Sequence, residues 1–383
     1  MKALIIGGGI GGLSLALALQ AQGIDYHLYE QASAFTEVGA AIGISEAPLQ
    51  LLDEIGLGAQ VRAAGWPVPR IALANPQFQV LRWMLQDYGG ISIHRARLID
   101  VLAAHVNLAC TSLNHHFARY ELLPQGGVRV HFRDGSAAEG DVLLACDGIN
   151  SRVRQHLYPQ LRLRYSGQTL WRGISPLALP ADFQHTYYEL WGHNCRFLVT
   201  PLGPDVYNWL AIGVAPEGQR DDAATVQAEL HREFARYGEV AHRLIAASGP
   251  VLRTDMRDID PATRQGLAWH QGPVCLLGDA IHPTTPNLAQ GGCQAMEDAF
   301  ALARCLRAHS SASVAFARYQ QVRETKANYV VNQSWQLGKI SHQPNGLVDW
   351  GVRTFVGKVM PQSFFRRQHQ RLLDLRYLDQ VSG

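Results

Sequence analysis

The chain opens on a short apolar run, residues 3–6, followed by a glycine cluster and an Ala/Leu-rich stretch over residues 13–22 that Gly23 closes. Four apolar residues without alternation fit a strand buried on both faces, and the stretch after them predicts a helix. Residues 25–30 return to a strand pattern and end in an acid, Glu30. Leu51, Leu52 and Ile55 recur at helical spacing over residues 49–57, with Gly56 or Gly58 as the stop. From Pro67 to Tyr88 the chain is rich in Trp, Phe and β-branched residues, which predicts extended strands outside the first domain. Residues 91–98 pass from strand into a helix running through His105. Residues 128–132, the turn Asp134-Gly135 and residues 138–145 read as a hairpin feeding another buried strand.

The pattern then changes. From about residue 161 to 213, alternating stretches such as 186–191 and 195–200 predict antiparallel strands. Residues 222–237 predict a helix with Val226, Leu230 and Phe234 on one stripe and Gly238 as its stop. Residues 274–279 restore the buried parallel-strand pattern, so the first domain is assembled from separated pieces around a second one. The fold class that follows is α/β, a Rossmann-like domain with an inserted α+β domain built on an antiparallel sheet, and C-terminal helices.

Composition narrows the function only broadly. A chain of 383 residues holds two domains. A net charge of +2, from 34 basic and 32 acidic residues, is too balanced to suggest nucleic acid as a partner. The apolar N-terminus is too short and too broken by glycine for a signal peptide. The six cysteines (Cys110, Cys146, Cys195, Cys275, Cys293, Cys305) show no C-x-x-C and no metal-ligand spacing, which suits reduced thiols in a cytoplasmic protein.

Chemistry enters at the first glycine cluster. Gly7, Gly9 and Gly12 stand in G-x-G-x-x-G between the first strand and the first helix, with Ile10 and Gly11 inside the loop. The first glycine permits a tight turn, the second lets backbone approach a pyrophosphate, and the third lets helix and strand pack closely. The helix N-terminus offers unpaired N–H groups to the phosphates. Glu30, eighteen residues past Gly12, ends the second strand where a carboxylate accepts hydrogen bonds from ribose, with Gln31 beside it. This motif binds a dinucleotide and does not distinguish NAD from FAD. Gly43, in the small-residue segment 38–44, lets backbone lie against a flat ligand.

Two later motifs add to it: Asp147-Gly148 followed by Ser151 and Arg154, and Gly278-Asp279-Ala280-Ile281-His282-Pro283 followed by Pro286 and by Gln290-Gly291-Gly292-Cys293. In this order the three motifs resemble those of the FAD-dependent aromatic hydroxylases, the class A flavoprotein monooxygenases. The nearest likeness is to the single-component subgroup of urate and salicylate hydroxylases and zeaxanthin-epoxidase-like enzymes. The resemblance covers most of residues 1–330. It implies an FAD-binding domain over residues 1–68, 93–160 and 263–344. A substrate domain takes residues 69–92 and 161–262, and a C-terminal helical segment residues 345–383.

It also implies the chemistry: FAD is reduced by NADPH or NADH as a transient co-substrate, and O₂ then gives a flavin C4a-hydroperoxide that hydroxylates or epoxidises a small electron-rich, aromatic substrate. Asp279 is implied to accept from the ribityl hydroxyls, though helix capping is open to it as well. The helix opening at Gln290–Gly292 is implied to face the pyrimidine edge of the flavin. Pro286 is implied to lie beside the ring, Asp147 and Arg154 to serve the flavin and nicotinamide sites, and Arg95 to reach the flavin. His282 reads as structural. The chain departs from the family pattern at Ala289, where glycine is usual, and at Ser45-Glu46-Ala47-Pro48.

The substrate pocket is expected between the second domain's sheet and the flavin, with Arg172, Tyr188 and Arg196 as candidates. Arg196 interrupts an apolar strand, so it either holds a substrate anion, forms an interdomain salt bridge or lies on the outward face of the sheet. A flavin oxidase, a halogenase and a non-redox escort protein on the same scaffold remain alternatives, as do monomer and homodimer. The last segment mixes basic residues with Phe355, Val356, Val359, Met360, Phe364 and Phe365. Its expected role is core packing rather than stable membrane association, because Pro361 breaks any long interfacial helix.

Overall fold

The structure is a computed structural model, and it describes residues 1–35 and 41–381. The stretch 36–40, which includes part of the small-residue segment before Gly43, lies outside the described residues. The strand Lys2–Ile6 is the middle of a six-stranded sheet and pairs in parallel with Asp25–Tyr29 on one side and Val142–Ala145 on the other. Val274–Leu276 adds in parallel to Val142–Ala145, and Thr111–Ser112 to Asp25–Tyr29. Residues 3–6, 142–145 and 274–276 are buried on both faces, which is why each reads as an unbroken apolar run. The helices Ile10–Ala21 and Gly291–Ala308 pack on each other across one face, and the long helix Ala312–Ser341 packs behind the second.

The second sheet has seven strands in the order Leu252–Asp258, Arg164–Pro176, Val206–Val214, Cys195–Gly203, Thr186–Gly192, Arg70–Ala74, Val80–Leu85. Its outer face buries Phe197, Trp209, Phe234 and Tyr237 against the helices Val226–Glu233 and Glu239–Ala246. The first of these is shorter than the predicted 222–237. Asp222 turns its carboxylate onto the N–H of Ala224, and this local turn replaces the first helical turn. A three-stranded sheet, Ala41–Ile44 with Gly90–His94 and Trp66–Val68, bridges the two large sheets.

The chain ends as the helix Gly346–Thr354, a wide turn over Phe355–Val359 and the helix Gln362–Leu373. The Asn345 side chain caps the first by accepting from the N–H groups of Leu347 and Val348. Pro361 separates the two, as the fixed φ of proline requires.

Candidate active site: one cleft between the two sheets

At the C-terminal end of the strand Lys2–Ile6 the chain turns through Gly7 at φ +103°. A Cβ there would stand 2.4 Å from the carbonyl oxygen of Cys146, and one on Gly12 would stand 1.8 Å from that of Gly7. Only glycine fits either position. Gly9 begins the helix Ile10–Ala21 without a side-chain cap, so its first N–H groups are left for a ligand. Glu30 folds back over this loop: Oε2 accepts from the N–H of Gly8 at 2.5 Å and Oε1 from that of Ala32 at 2.8 Å. Gln31 lines the same end of the cleft.

The second strand end is Asp147. One carboxylate oxygen accepts from the N–H groups of Arg152 and Val153 at 2.8 and 3.2 Å, while Oδ1 is buried without a partner among the described residues. Arg154 is buried and spans to the third motif, donating to the carbonyls of Asp279 and Ala280 at 3.2 and 3.0 Å. Arg154 therefore ties the two loops together and does not itself line the cleft.

The third motif is a tight turn over Gly278–Ala280, with Gly278 at φ +59°. Behind it lies a wholly buried charge cluster. The Asp298 carboxylate accepts from the N–H of Gly278 at 2.9 Å, pairs with His282 at 2.5 Å and with Arg323 at 2.6 Å. Glu297 pairs with Arg323 and Lys326, each at 2.8 Å, and accepts from the Tyr377 hydroxyl. Burial alone would raise the Asp298 carboxyl, but His282 and Arg323 outweigh it and hold it well below the usual carboxylate range. His282 is thus committed to Asp298, which agrees with a structural role.

Asp279 itself turns into the cleft, where burial raises its carboxyl against the opposing charges of His282, Arg95 and Arg154. Burial raises Asp147 as well. Pro286, Gln290, Gly291 and Gly292 follow along the wall, and the Gln290 Oε1 is a second buried acceptor without a partner among the described residues. The helix Gly291–Ala308 starts there without a side-chain cap. Cys293 lies behind the wall, its thiol 3.5 Å from the carbonyl of Gly43. Ala289 sits at φ +52°, ψ +34°.

These features extend into a single cleft of about 1070 Å³ whose far wall is the inner face of the seven-stranded sheet. Arg172 and Pro286 line it, as do Gly43 and Arg95. Two substrate candidates need correction. Tyr188 points to the opposite face of the sheet, its ring 4.8 Å from that of Phe183, because side chains alternate along a strand. Its neighbour Tyr187 lines the cleft instead. Arg196 is on the cleft side but fully buried. It pairs with Glu189 at 2.9 Å and donates to the Asn287 side chain, so its fork is used inside the protein. It joins the seven-stranded sheet to the loop after Pro286 and is not among the residues that line the cleft.

Sequence reasoning missed Tyr187, Glu189, Thr200 and Asn208, all of which line the cleft. The pairing of strands would have found them: Trp191 stands opposite Arg196, and Glu189 opposite Leu198. Once Arg196 is assigned inward, the even steps away from it on its own strand, and from its partners Trp191 and Ile212 on the two neighbouring strands, are inward too.

The cradle suits FAD. The loop that glycine keeps open, two uncapped helix starts, and unpartnered acceptors at Asp147 and Gln290 supply what a pyrophosphate and a hydroxyl-rich chain need. Residues 1–334 match the family model described as FAD binding domain. The chain is 38% identical over 361 residues to the aurachin C monooxygenase/isomerase of Stigmatella aurantiaca, spanning 91% of this chain and 92% of that one. It is 29% identical to the 2-heptyl-3-hydroxy-4(1H)-quinolone synthase of Pseudomonas aeruginosa, over 97% of both. The structure of Klebsiella pneumoniae HpxO complexed with FAD and uric acid superposes with a TM-score of 0.88 at 27% identity, covering 97% of each chain. With its three motifs gathered on one cleft and these likenesses along almost its whole length, the chain belongs to the FAD-dependent aromatic hydroxylases, the class A flavoprotein monooxygenases, and is an FAD-dependent monooxygenase.

Proposed function

We propose that the protein uses NAD(P)H and O₂ to hydroxylate an aromatic ring that carries an apolar chain, with a quinolone as the favoured ring. The observation that carries this reading is the composition of the substrate end of the cleft. Leu170, Leu198, Leu210, Ile212, Leu337 and Phe365 line it together with polar groups that include Arg172, Tyr187, Glu189, Thr200 and Asn208. Such a wall holds a long hydrocarbon and gives a ring few but specific polar contacts. The name of the Pseudomonas relative supports the same class, since it names a seven-carbon chain on a quinolone.

When bound, FAD supplies the redox chemistry that splits O₂ and passes one oxygen atom to the ring. The chain's own residues bind and orient. Gly7 to Gly12 and Glu30 take the adenosine diphosphate half, and Asp279 the hydroxyls of the ribityl chain. The helix start at Gly291 favours negative charge on the nearby ring edge. The Glu189 carboxylate, anchored by Arg196 and by the Trp191 indole N–H at 2.7 Å, is the group positioned to accept a proton from a ring hydroxyl or N–H. The apolar wall excludes bulk water, which otherwise diverts the oxidant to peroxide.

Stimulation of NAD(P)H oxidation by 2-alkyl-4-quinolones of increasing chain length tests the proposal, with mass analysis of the product. The heptyl compound is expected to gain one oxygen atom. Each methylene removed is expected to cost about 0.8 kcal/mol, roughly fourfold in kcat/KM. Equal turnover of the methyl and heptyl compounds, or turnover of urate alone, would rule out the apolar-chain substrate.

A further inference from the structure

Seven of the apolar residues exposed on this protein fall close together, six of them in the last two helices and the turn between them. Leu347 is 82% exposed, Trp350 65% and Val359 61%, with Val348, Phe355 and Phe364 beside them in the chain. Val80 is exposed on the strand against which the turn Phe355–Val359 packs. The stripe expected to pack inward is therefore split: Val356 and Phe365 are buried, while Phe355, Val359 and Phe364 face out. The split has a local cause. Asp349 is buried at one end, held by Arg353 at 2.7 Å and His193 at 3.4 Å, and Gln362 anchors the other end to the carbonyls of Trp83 and Met84. Those anchors fix which side of each helix is turned inward, and Leu347 and Trp350 are left on the other.

The charge on that outer side is of one sign. Between Gln343 and Leu373 Asp349 is the sole acid, and it is buried, whereas Lys358, Arg366 and Arg367 are exposed. An exposed Trp and two exposed Phe beside aliphatic residues and a cluster of basic ones match the chemistry of an anionic lipid surface. Aromatic rings settle at the headgroup level, and each nearby basic residue gains from the surface potential. Among the described residues no helix is long and apolar enough to cross a membrane, so the contact is peripheral.

We propose that the face formed by Leu347, Trp350, Phe355, Val359 and Phe364, with Lys358, Arg366 and Arg367, docks on an anionic membrane. The same helix that turns Phe364 outward turns Phe365, His369 and Leu372 into the cleft wall. Docking therefore sets the cleft wall at the lipid surface, where a substrate with an apolar chain resides. That last link rests on the substrate class proposed above, and the docking does not.

Sedimentation of the FAD-loaded protein with vesicles separates the two. Vesicles of phosphatidylcholine with phosphatidylglycerol are expected to carry the protein down at physiological salt, and phosphatidylcholine alone much less. Lys358→Gln with Arg366→Gln and Arg367→Gln is expected to weaken binding on the order of a hundredfold, about fivefold for each charge. Trp350→Ser with Phe355→Ser and Val359→Ser is expected to abolish it while leaving FAD content and folding intact, read from the flavin spectrum and circular dichroism. Absence of binding to both vesicle types overturns the proposal. So does a dimer in solution that Trp350→Ser splits, which would make the face a contact between two copies. Vesicle binding without turnover of alkylquinolones leaves the docking standing and removes only the substrate class.

Discussion

Ala289 occupies a backbone region that L residues other than glycine enter at a cost of roughly 1–2 kcal/mol. The position is the C-terminal end of the short turn Pro286–Leu288, and its N–H still bonds the Pro286 carbonyl at 3.0 Å. Its methyl clears the opposite side: even a Cβ built on Gly43 would stand 3.9 Å away. The departure from the family pattern is therefore strain in the backbone, at a residue that lines the cleft. Ala289→Gly is expected to raise the thermal midpoint of the FAD-loaded protein by a degree or two, since relief of the left-handed strain exceeds the added chain entropy by about 0.5–1 kcal/mol. A lower midpoint in a melt followed by flavin fluorescence would count against this account of Ala289.

At the scale of elements, the helices Gly291–Ala308 and Ala312–Ser341 are joined by charge as well as by apolar packing. Arg323 faces both Glu297 and Asp298, and all three are fully buried. A buried pair adds little net stability, but removing one member strands its partners at a cost of about 3–5 kcal/mol. Arg323→Met is expected to destabilise the protein by that amount and to loosen the Gly278 turn, which hangs on Asp298. A denaturation midpoint unchanged from the parent would show the cluster to be incidental. The depressed Asp298 carboxyl also carries a sign: its stabilisation is complete above the ordinary carboxylate range and is lost as pH falls toward its folded value.

The strand elements were legible from the chain because the parallel sheet leaves unbroken apolar runs and the antiparallel sheet leaves alternation. What alternation does not reveal is which face meets the ligand. Arg196, the charged interruption of an apolar strand, is buried, which its position in the sequence does not reveal. Nor does that position reveal that Glu189, on the neighbouring strand, is placed to neutralise it. Tyr188 was chosen for its residue type, although it stands opposite Val199 and so shares no face with Arg196. The dinucleotide loop needed no such pairing, since its glycines and Glu30 act within thirty residues of one another. Which side of the last helices faces outward is not legible in the sequence, because anchors far away in the chain, His193 and the carbonyls of Trp83 and Met84, decide their rotation.

For the whole molecule, the two raised carboxyls are expected to make flavin binding sensitive to pH. Asp147 and Asp279 sit on different sheet strands' ends and open into the same cleft, and burial favours their protonated forms in the free protein. In the role proposed for Asp279, hydrogen bonds donated by the ribityl hydroxyls would favour its ionised form, and FAD binding is expected to release a proton over the interval between its two states. FAD is therefore expected to bind more tightly as pH rises from the ordinary carboxylate range toward the raised value, with His282, Arg95 and Arg154 as the charges that set the interval. Titration of the apoprotein with FAD by fluorescence quenching at several pH values reads this directly. Asp279→Asn is expected to flatten the dependence, and a slope that survives the substitution would move the effect to another group.

The six-stranded sheet takes its middle strand from the first six residues, one neighbour from residues 142–145 and the strand beyond that neighbour from residues 274–276. Contacts so distant in the chain form slowly, because each requires a long loop to close first. During synthesis the second sheet, whose strands lie mostly within residues 164–258, emerges whole before the first sheet has its strand Val274–Leu276. The nascent protein therefore holds an assembled substrate wall while the opposite wall is still incomplete, with the apolar edge of Val142–Ala145 uncovered. The order of emergence makes the last third of the chain the part that shields this edge from other chains.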